Sequence, residues 1–245
     1  MCASNLQAAE TFAQKAVYQA SRAFPDAIFY KQTTEKVVAL TIDDVPAAGD
    51  PEDSSTRLVL DVIAQHNSQI ADPDGHVRAT FFVISDHLKD GSTIVAEIEE
   101  QGHEIANHGV VDDTAALLSA DAFELSLRTS NDRIAEFASK PVRWYRPGRG
   151  LFKRDMASAL RSMEGYEPRF ALASMLPVDS FWPTDDPKFT AWYVGQHVFP
   201  GSILVLHVSS PEIAMRTSEA LKLILDDLKG RGYRVVTLSE LWDKY

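Results

Sequence analysis

The segment Val37-Val-Ala-Leu-Thr-Ile-Asp-Asp44 decides the fold class of this 245-residue chain. Six apolar or β-branched residues lead directly into two carboxylates. A continuous apolar run of this kind is typical of a strand that is buried on both faces of a parallel sheet. In parallel α/β proteins, ligands bind at the carboxyl ends of the strands. The segment therefore predicts an α/β fold with Asp43 and Asp44 at its functional edge.

Apolar runs of the same kind recur along the chain and alternate with segments of helical period. With the first run, Val37–Ile42, the predicted strands are Thr80–Ile84, Glu104–Asn107, Val142–Arg146, Phe170–Ser174, Ile203–His207 and Arg234–Leu238. The predicted helices lie near Ser55–His66, Thr93–Glu100, Ala120–Ala138, Phe152–Met163, Lys188–His197 and Glu212–Leu228. This alternation predicts a parallel sheet wrapped by helices. No linker or repeat divides the chain, so we expect residues 1–245 to form a single domain, and an α/β barrel fits that size.

Charge and cysteine content limit the chemistry. The chain has 35 acidic and 24 basic residues, a formal net charge of −11. This surplus repels polyanions, so no nucleic-acid partner is expected. The single cysteine, Cys2, cannot form an internal disulfide or supply a cysteine-based metal site. Histidine and carboxylate side chains are therefore the candidate metal ligands.

The N-terminal segment carries no basic stretch followed by an apolar run. No later segment approaches the roughly 18 consecutive apolar residues of a membrane span. We therefore expect no membrane partner and a cytoplasmic location, with a secreted mature form as the alternative. Residues Leu6 to Phe24 have helical periodicity and predict a helical extension, within residues 1–30, on the outside of the domain.

Polar side chains stand at the ends of five predicted strands or in the loops that follow them. They are Asp43 with Asp44, His108, Arg146, Asp179 and His207. Two adjacent carboxylates repel each other unless a cation or a base lies between them, and an inward-facing guanidinium would keep such a carboxylate ionised and oriented. Plainer alternatives are an acidic turn, structural histidines and a solvent-facing arginine. The shared position at one rim favours a functional site.

Asp112 follows His108 by four residues. If the intervening loop opens into a helical turn, both side chains share one face and can reach the same metal ion. The other histidines are expected to be structural; they are His66, His76, His87, His103 and His197.

The order and wording of these motifs resemble the polysaccharide deacetylases of carbohydrate esterase family four, over roughly residues 36–240. Thr41-Ile-Asp-Asp44 is similar to the family's Thr-Phe-Asp-Asp, and Gly102-His-Glu-Ile-Ala-Asn-His108 to its Gly-His-Glu-Ile-Gly-Asn-His. Arg146-Pro-Gly-Arg-Gly150 resembles Arg-Pro-Pro-Tyr-Gly. Asp179-Ser-Phe-Trp182 resembles the fourth motif, and Val205-Leu-His207 resembles Leu-x-His.

The resemblance implies a distorted (β/α) barrel of about seven parallel strands. It also implies a metal-dependent hydrolase that removes an acetyl group from an N-acetylated sugar, such as a chitin oligomer. The residues that correspond to the family's catalytic set are Asp43 as base, Arg146 as its partner, His207 as acid and Asp179 as the group that orients the acid. Those that correspond to metal ligands are Asp44 and His108. The ion would be divalent, zinc first, with cobalt, nickel or manganese as alternatives.

The chain departs from the family pattern at the third metal ligand. The family has a histidine four residues after the second ligand, and Asp112 stands there. A carboxylate can ligate zinc, and it favours harder metals more than imidazole does. Val45 replaces a glycine and Arg149 a tyrosine, which changes the pocket wall. Two alternatives therefore stay open: a hydrolase of a small amide, imide or O-acyl ester, and a metal-free barrel that binds carbohydrate.

Overall fold

The computed structural model describes residues 12–181 and 183–245. Its strands are β1 (Ala27–Ile28), β2 (Val37–Val45), β3 (Ala79–Val83), β4 (Glu104–Asn107), β5 (Phe170–Ala171), β6 (Ile203–His207) and β7 (Arg234–Val236). Its helices are α1 (Phe12–Ala23), α2 (Ser54–Asn67), α3 (Ile94–Glu100), α4 (Ala120–Ala135), α5 (Met156–Ser162), α6 (Pro187–His197), α7 (Pro211–Gly230) and α8 (Leu238–Lys244). Cys2, Trp182 and the first part of the predicted N-terminal helix lie outside the described residues. None of the helices within this range is long and apolar enough to cross a membrane.

The strands pair in parallel, as the sequence predicts. The main sheet has the order β4-β3-β2-β6, and β7 pairs with the first residues of β2. β1 and β5 form a separate parallel pair. The described strands do not close into one hydrogen-bonded ring. The predicted α/β class with parallel strands is confirmed.

The central strand β2 is buried along its whole length, and its side chains alternate between two layers. Val38, Leu40 and Ile42 pack outward against the layer of helices. Val37 and Ala39 belong to a second, inner cluster. The inner row continues by alternation through Thr41 to Asp43, so the apolar interior gives way to a carboxylate at the carboxyl end of the strand.

The prediction of a strand at Val142–Arg146 is wrong. The segment makes a single parallel bridge, between Asn107 and Tyr145. Pro141 and Pro147 flank it, and because proline has no N–H to donate, neither end can extend a ladder.

The short strand β1 and the terminal helix α8 were not predicted. α8 replaces the predicted end of the last strand because the Thr237 side chain accepts from the Glu240 N–H and caps a helix there.

His103 is buried at the amino end of β4, as its structural assignment predicts. The Ala79 N–H donates to its Nδ1 at 3.2 Å, and its Nε2 has no hydrogen-bond partner among the described residues. Burial, together with the positive charge of Arg78, lowers the pKa of His103 to about 4. The ring is therefore neutral in the folded protein at neutral pH.

Acidification should destabilise the fold through His103. Its folded pKa lies below the unfolded value of 6.5, so its contribution is fully present above pH 6.5 and is lost as the pH falls toward about 4. The variant His103→Asn keeps an acceptor for the Ala79 N–H. Relative to this variant, the wild type should lose up to about 3 kcal/mol of its free energy of unfolding as the pH falls through this range. Urea unfolding at a series of pH values measures the difference. Parallel pH profiles for the two proteins would contradict the prediction.

Candidate active site

Asp43 and His207 lie side by side at the carboxyl ends of β2 and β6. The two residues are partners in the register of the parallel pair, so their side chains emerge on the same inner face. The distance from His207 Nε2 to Asp43 Oδ2 is 4.0 Å. A carboxylate and an imidazole therefore face one another across a short gap at the rim.

Asp44 reaches the same cavity through an irregularity in β2. Simple alternation would place it on the opposite face from Asp43. The register between β2 and β3 shifts between Ile42 and Val45, and Asp44 has a left-handed backbone with φ of 64°. Both carboxylates consequently line one cavity, although they are adjacent in sequence.

Arg146 points inward and holds Asp43. Its Nη1 donates to Asp43 Oδ1 at 2.5 Å and to Thr41 Oγ1 at 2.8 Å, and its Nε donates to the Ala171 carbonyl at 2.8 Å. The guanidinium also lies over the Phe82 ring, 4.1 Å from the centroid. Both charged side chains are almost fully buried. Because Oδ1 is engaged by Arg146, Oδ2 is the oxygen that faces His207 and the cavity.

Asp179 orients His207. Its Oδ2 accepts from the His207 backbone N–H at 2.6 Å, and its Oδ1 lies 3.1 Å from His207 Nδ1. Burial lowers the pKa of His207, but the charge and hydrogen bond of Asp179, with the charges of Asp43 and Asp44, outweigh it and raise the pKa to about 9. His207 is therefore a protonated donor at neutral pH, with Nε2–H toward the cavity.

Asp179→Asn should lower the pKa of His207. The amide removes the nearest negative charge, which is the main reason that the imidazolium is favoured, so we expect a fall of at least about one unit. Histidine side-chain NMR titration measures it. Glu212→Gln, which removes an exposed carboxylate on α7, is the matched control and should leave the pKa of His207 unchanged. An unchanged value in the Asp179→Asn variant would show that Asp179 does not control this ring.

His108 presents one ring nitrogen to Asp44. Its Nδ1 lies 2.8 Å from the Arg146 carbonyl oxygen, which can only accept, so Nδ1 carries a proton and the neutral ring has its lone pair on Nε2. Nε2 lies 3.4 Å from Asp44 Oδ1 and 3.8 Å from Asp43 Oδ2. Burial opposes a charge on His108, but the carboxylates of Asp43 and Asp44 raise its pKa. Burial likewise raises the pKa of Asp44, and the nearby histidines more than offset it, so that pKa is lowered.

Asp112 stands apart from these two groups, in an ion pair. Its Oδ2 accepts from Arg149 Nη2 at 2.9 Å, and both side chains are partly exposed. The expected helical turn between His108 and Asp112 does not form: Gly109 has φ of 95°, and the Asp113 N–H donates to the Val111 carbonyl in a tight turn. Within residues 12–181 and 183–245, no three His, Cys, Asp or Glu side chains are grouped so that they could hold one metal ion.

The candidate site residues line a cavity of about 370 Å³. Its polar lining includes Asp43, Asp44, His108, Asp112, Arg146, Arg149 and His207, and its apolar lining includes Phe29, Leu172, Met175, Leu176, Phe181 and Val205. Leu206, which lies between Val205 and His207 in β6, packs in the outer core. Strand alternation explains this, because Val205 and His207 share the inner face and Leu206 lies on the other.

Comparison with known proteins shows the family to which the chain belongs. The model of the polysaccharide deacetylase family matches residues 30–167, which is more than half of the chain. The chain belongs to the polysaccharide deacetylase family. A peptidoglycan-N-acetylmuramic acid deacetylase of Bacillus subtilis is 28% identical over 220 residues, 88% of this chain and 75% of that protein.

Two solved structures of this family are similar in fold as well as in sequence. A family 4 acetyl xylan esterase from Clostridium thermocellum, in complex with a cobalt ion, is 29% identical with a TM-score of 0.70, covering 84% of this chain and 90% of that one. A mutant of a family pseudoenzyme from Bacillus anthracis, with restored enzymatic activity, is 26% identical with a TM-score of 0.71. The match covers 90% of this chain and 72% of that one. Like these relatives, this deacetylase-family chain has the distorted (β/α) barrel fold.

Three side chains to which the sequence analysis assigned no role complete the site. Phe82 supports the guanidinium from β3, and the Thr217 hydroxyl donates to Asp179 Oδ2 at 3.3 Å from α7. Thr41 bridges two strands, because its Oγ1 accepts from Arg146 and donates to the Leu204 carbonyl at 2.6 Å. Thr41 and Phe82 could have been found by alternation, since each lies on the inner face of its strand.

The donors fit a divalent ion in part. Asp44 and His108 converge, and the Arg146 carbonyl fixes the His108 tautomer that leaves Nε2 available as a ligand. The third expected donor, Asp112, is engaged by Arg149. Asp44 and His108 therefore lie close enough to share a metal ion, and the roles of Asp44, His108 and Asp112 as ligands stay predictions.

Proposed function

We propose that this protein removes the acetyl group from an N-acetylated sugar of the chitin-oligomer type, by metal-dependent hydrolysis of the amide. One observation carries the proposal: Asp43 and His207, each oriented by its own partner, face each other across the cavity. A base that is fixed by an arginine and an acid that is fixed by an aspartate are the two groups that hydrolysis of an amide requires. Family membership and the deacetylase relatives support the same chemistry.

The two groups have complementary roles. Asp43 Oδ2 accepts the proton of the attacking water, while Arg146 keeps the carboxylate ionised and aimed. The Nε2–H of His207 donates to the departing amine nitrogen, and Asp179 holds the ring in that orientation. Since each side chain is preorganised by buried contacts, little reorganisation accompanies the reaction.

The turn at residues 147–150 supports the negative charge that develops on the carbonyl oxygen. The N–H groups of Gly150 and Leu151 are bonded within the turn, to the carbonyls of Pro147 and Gly148. The N–H groups of Gly148 and Arg149 are therefore the candidate donors to substrate. A divalent ion held by Asp44 and His108, with Asp112 as a third candidate ligand and zinc as the first candidate metal, would supply a Lewis acid that polarises the carbonyl and acidifies water.

A second function is a metal-free barrel that binds carbohydrate without cleaving it. The ion pair between Asp112 and Arg149 favours it, because this pair engages the third expected ligand. The likeness to a family pseudoenzyme whose mutant has restored activity is in keeping with that possibility. The apolar side of the cavity, around Leu172 and Met175, leaves a small amide or O-acyl ester as the alternative substrate.

Acetate release tests these proposals together. The full chain is incubated with N-acetylglucosamine oligomers and, separately, with small acetylated amides and esters, with zinc, with cobalt or with a chelator. We expect metal-stimulated acetate release from the oligomers. Release from the small substrates alone would select the alternative hydrolase. Oligomer binding by calorimetry, without acetate release under any metal condition, would replace the enzyme with the binding protein.

A further inference from the structure

The ion pair between Asp112 and Arg149 is part of the cavity wall that also contains Asp44 and His108. Its Oδ2 to Nη2 distance is 2.9 Å, and 37% of the Asp112 side chain and 55% of the Arg149 side chain are exposed. An ion pair this exposed is weak, so another cation can displace it. The carboxylate thus has two alternative partners, the guanidinium and a metal ion bound by Asp44 and His108 in the same cavity.

The backbone keeps Arg149 beside Asp112. A Cβ on Gly148 would meet the Asp113 carbonyl oxygen at 2.0 Å, so the turn at residues 147–150 lies directly against the 112–113 backbone. Arg149 itself has a left-handed backbone, with φ of 62°. The backbones that carry the two charged side chains therefore stay close together.

We propose that Arg149 competes with a divalent metal ion for the carboxylate of Asp112 and thereby sets the metal affinity of the site. The inference rests on the proposed function, since the ion belongs to it. A guanidinium neutralises the carboxylate and also adds a positive charge near the incoming cation. Both effects weaken metal binding. Removing the guanidinium frees Asp112 to join Asp44 and His108 as a third ligand.

Zinc and cobalt binding to the full chain, measured by titration calorimetry, tests the competition directly. Arg149→Gln should tighten zinc binding about tenfold, because it removes both the ion pair and the repulsion. In an Asp112→Asn background the same substitution should tighten binding by about threefold or less, because only the repulsion is then removed. Arg128→Gln, which removes an exposed arginine paired with Glu124 on α4, is the matched control and should not alter affinity.

The outcomes separate this inference from the proposed function. Equal tightening in the wild-type and Asp112→Asn backgrounds, or none in either, overturns the competition, while metal-dependent acetate release by the wild type can still stand. Absence of zinc and cobalt binding in every variant overturns both the competition and the metal dependence. Arg149→Asn is the second variant, because asparagine tolerates the left-handed backbone, and its thermal unfolding should match the wild type.

Discussion

Asp43→Asn should reduce the kcat/KM for acetate release by at least about a thousandfold, within the range that general acid–base groups contribute. Asparagine has the shape of aspartate and can still accept the Arg146 hydrogen bond through its amide oxygen, so the site keeps its arrangement. It cannot take a proton from water at neutral pH. The loss should therefore appear in kcat, with little change in KM.

The control for this variant is Asp90→Asn, which removes a carboxylate that is 92% exposed and should leave activity unchanged. Circular dichroism and thermal unfolding of the Asp43→Asn variant should match those of the wild type. If the folded variant kept more than about a tenth of the wild-type activity, Asp43 would not be the general base.

Arg146→Met should destabilise the folded protein by about 3–5 kcal/mol, the usual effect of removing one partner from a buried ion pair. Asp43 would be left as a buried carboxylate without its hydrogen-bonded guanidinium, and the Ala171 carbonyl would lose its donor. Methionine replaces much of the aliphatic stem, so the loss of packing is small. Urea unfolding measures the free energy, and acetate release should be lost as well.

Arg143→Met is the matched control, three residues earlier in the chain. Arg143 pairs with Asp243 at the surface, and its loss should cost less than about 1 kcal/mol. The double variant Arg146→Met with Asp43→Asn should recover much of the stability, because it also removes the buried charge that the single variant leaves without its arginine. No recovery in the double variant would mean that Arg146 stabilises the fold through its contacts with Thr41, Ala171 and Phe82 and not through Asp43.

Local patterns in the sequence predicted one part of the site well. The apolar run before Asp43 and the one before His207 each predict a buried strand, and side chains alternate with a period of two along such strands. Both residues are therefore expected at the carboxyl rim. Which strands are neighbours is a tertiary property, and it is the register between β2 and β6 that places these two residues side by side.

Asp44 shows where local patterns fail. Alternation predicts that it faces away from Asp43, although the position of both carboxylates at the end of a predicted strand, and the family resemblance, indicated one shared site. The left-handed backbone at Asp44 and the register shift between β2 and β3 decide its direction. An irregularity of this kind depends on how two distant segments pair, so the residues around Asp44 do not encode it in a form that a periodicity can reveal.

Asp112 shows the same limit at the other side of the cavity. Spacing predicted a shared helical face with His108, yet the chain turns at Gly109 and Asp112 pairs with Arg149. That partner belongs to another loop, 37 residues further along the chain. The spacing of two residues cannot indicate what a third segment brings to them.

The sequence by itself determined the fold class, the order of the motifs and the polar side chains at the ends of the strands, because these follow from residue type and short-range periodicity. The tertiary structure decided the partners: Arg146 on Asp43, Asp179 on His207, and Arg149 on Asp112. Each of these ion pairs joins segments that lie far apart in the chain. Because charge pairing depends on the distance between the charged groups, and packing of the whole barrel sets that distance, the pairs cannot be read from local sequence.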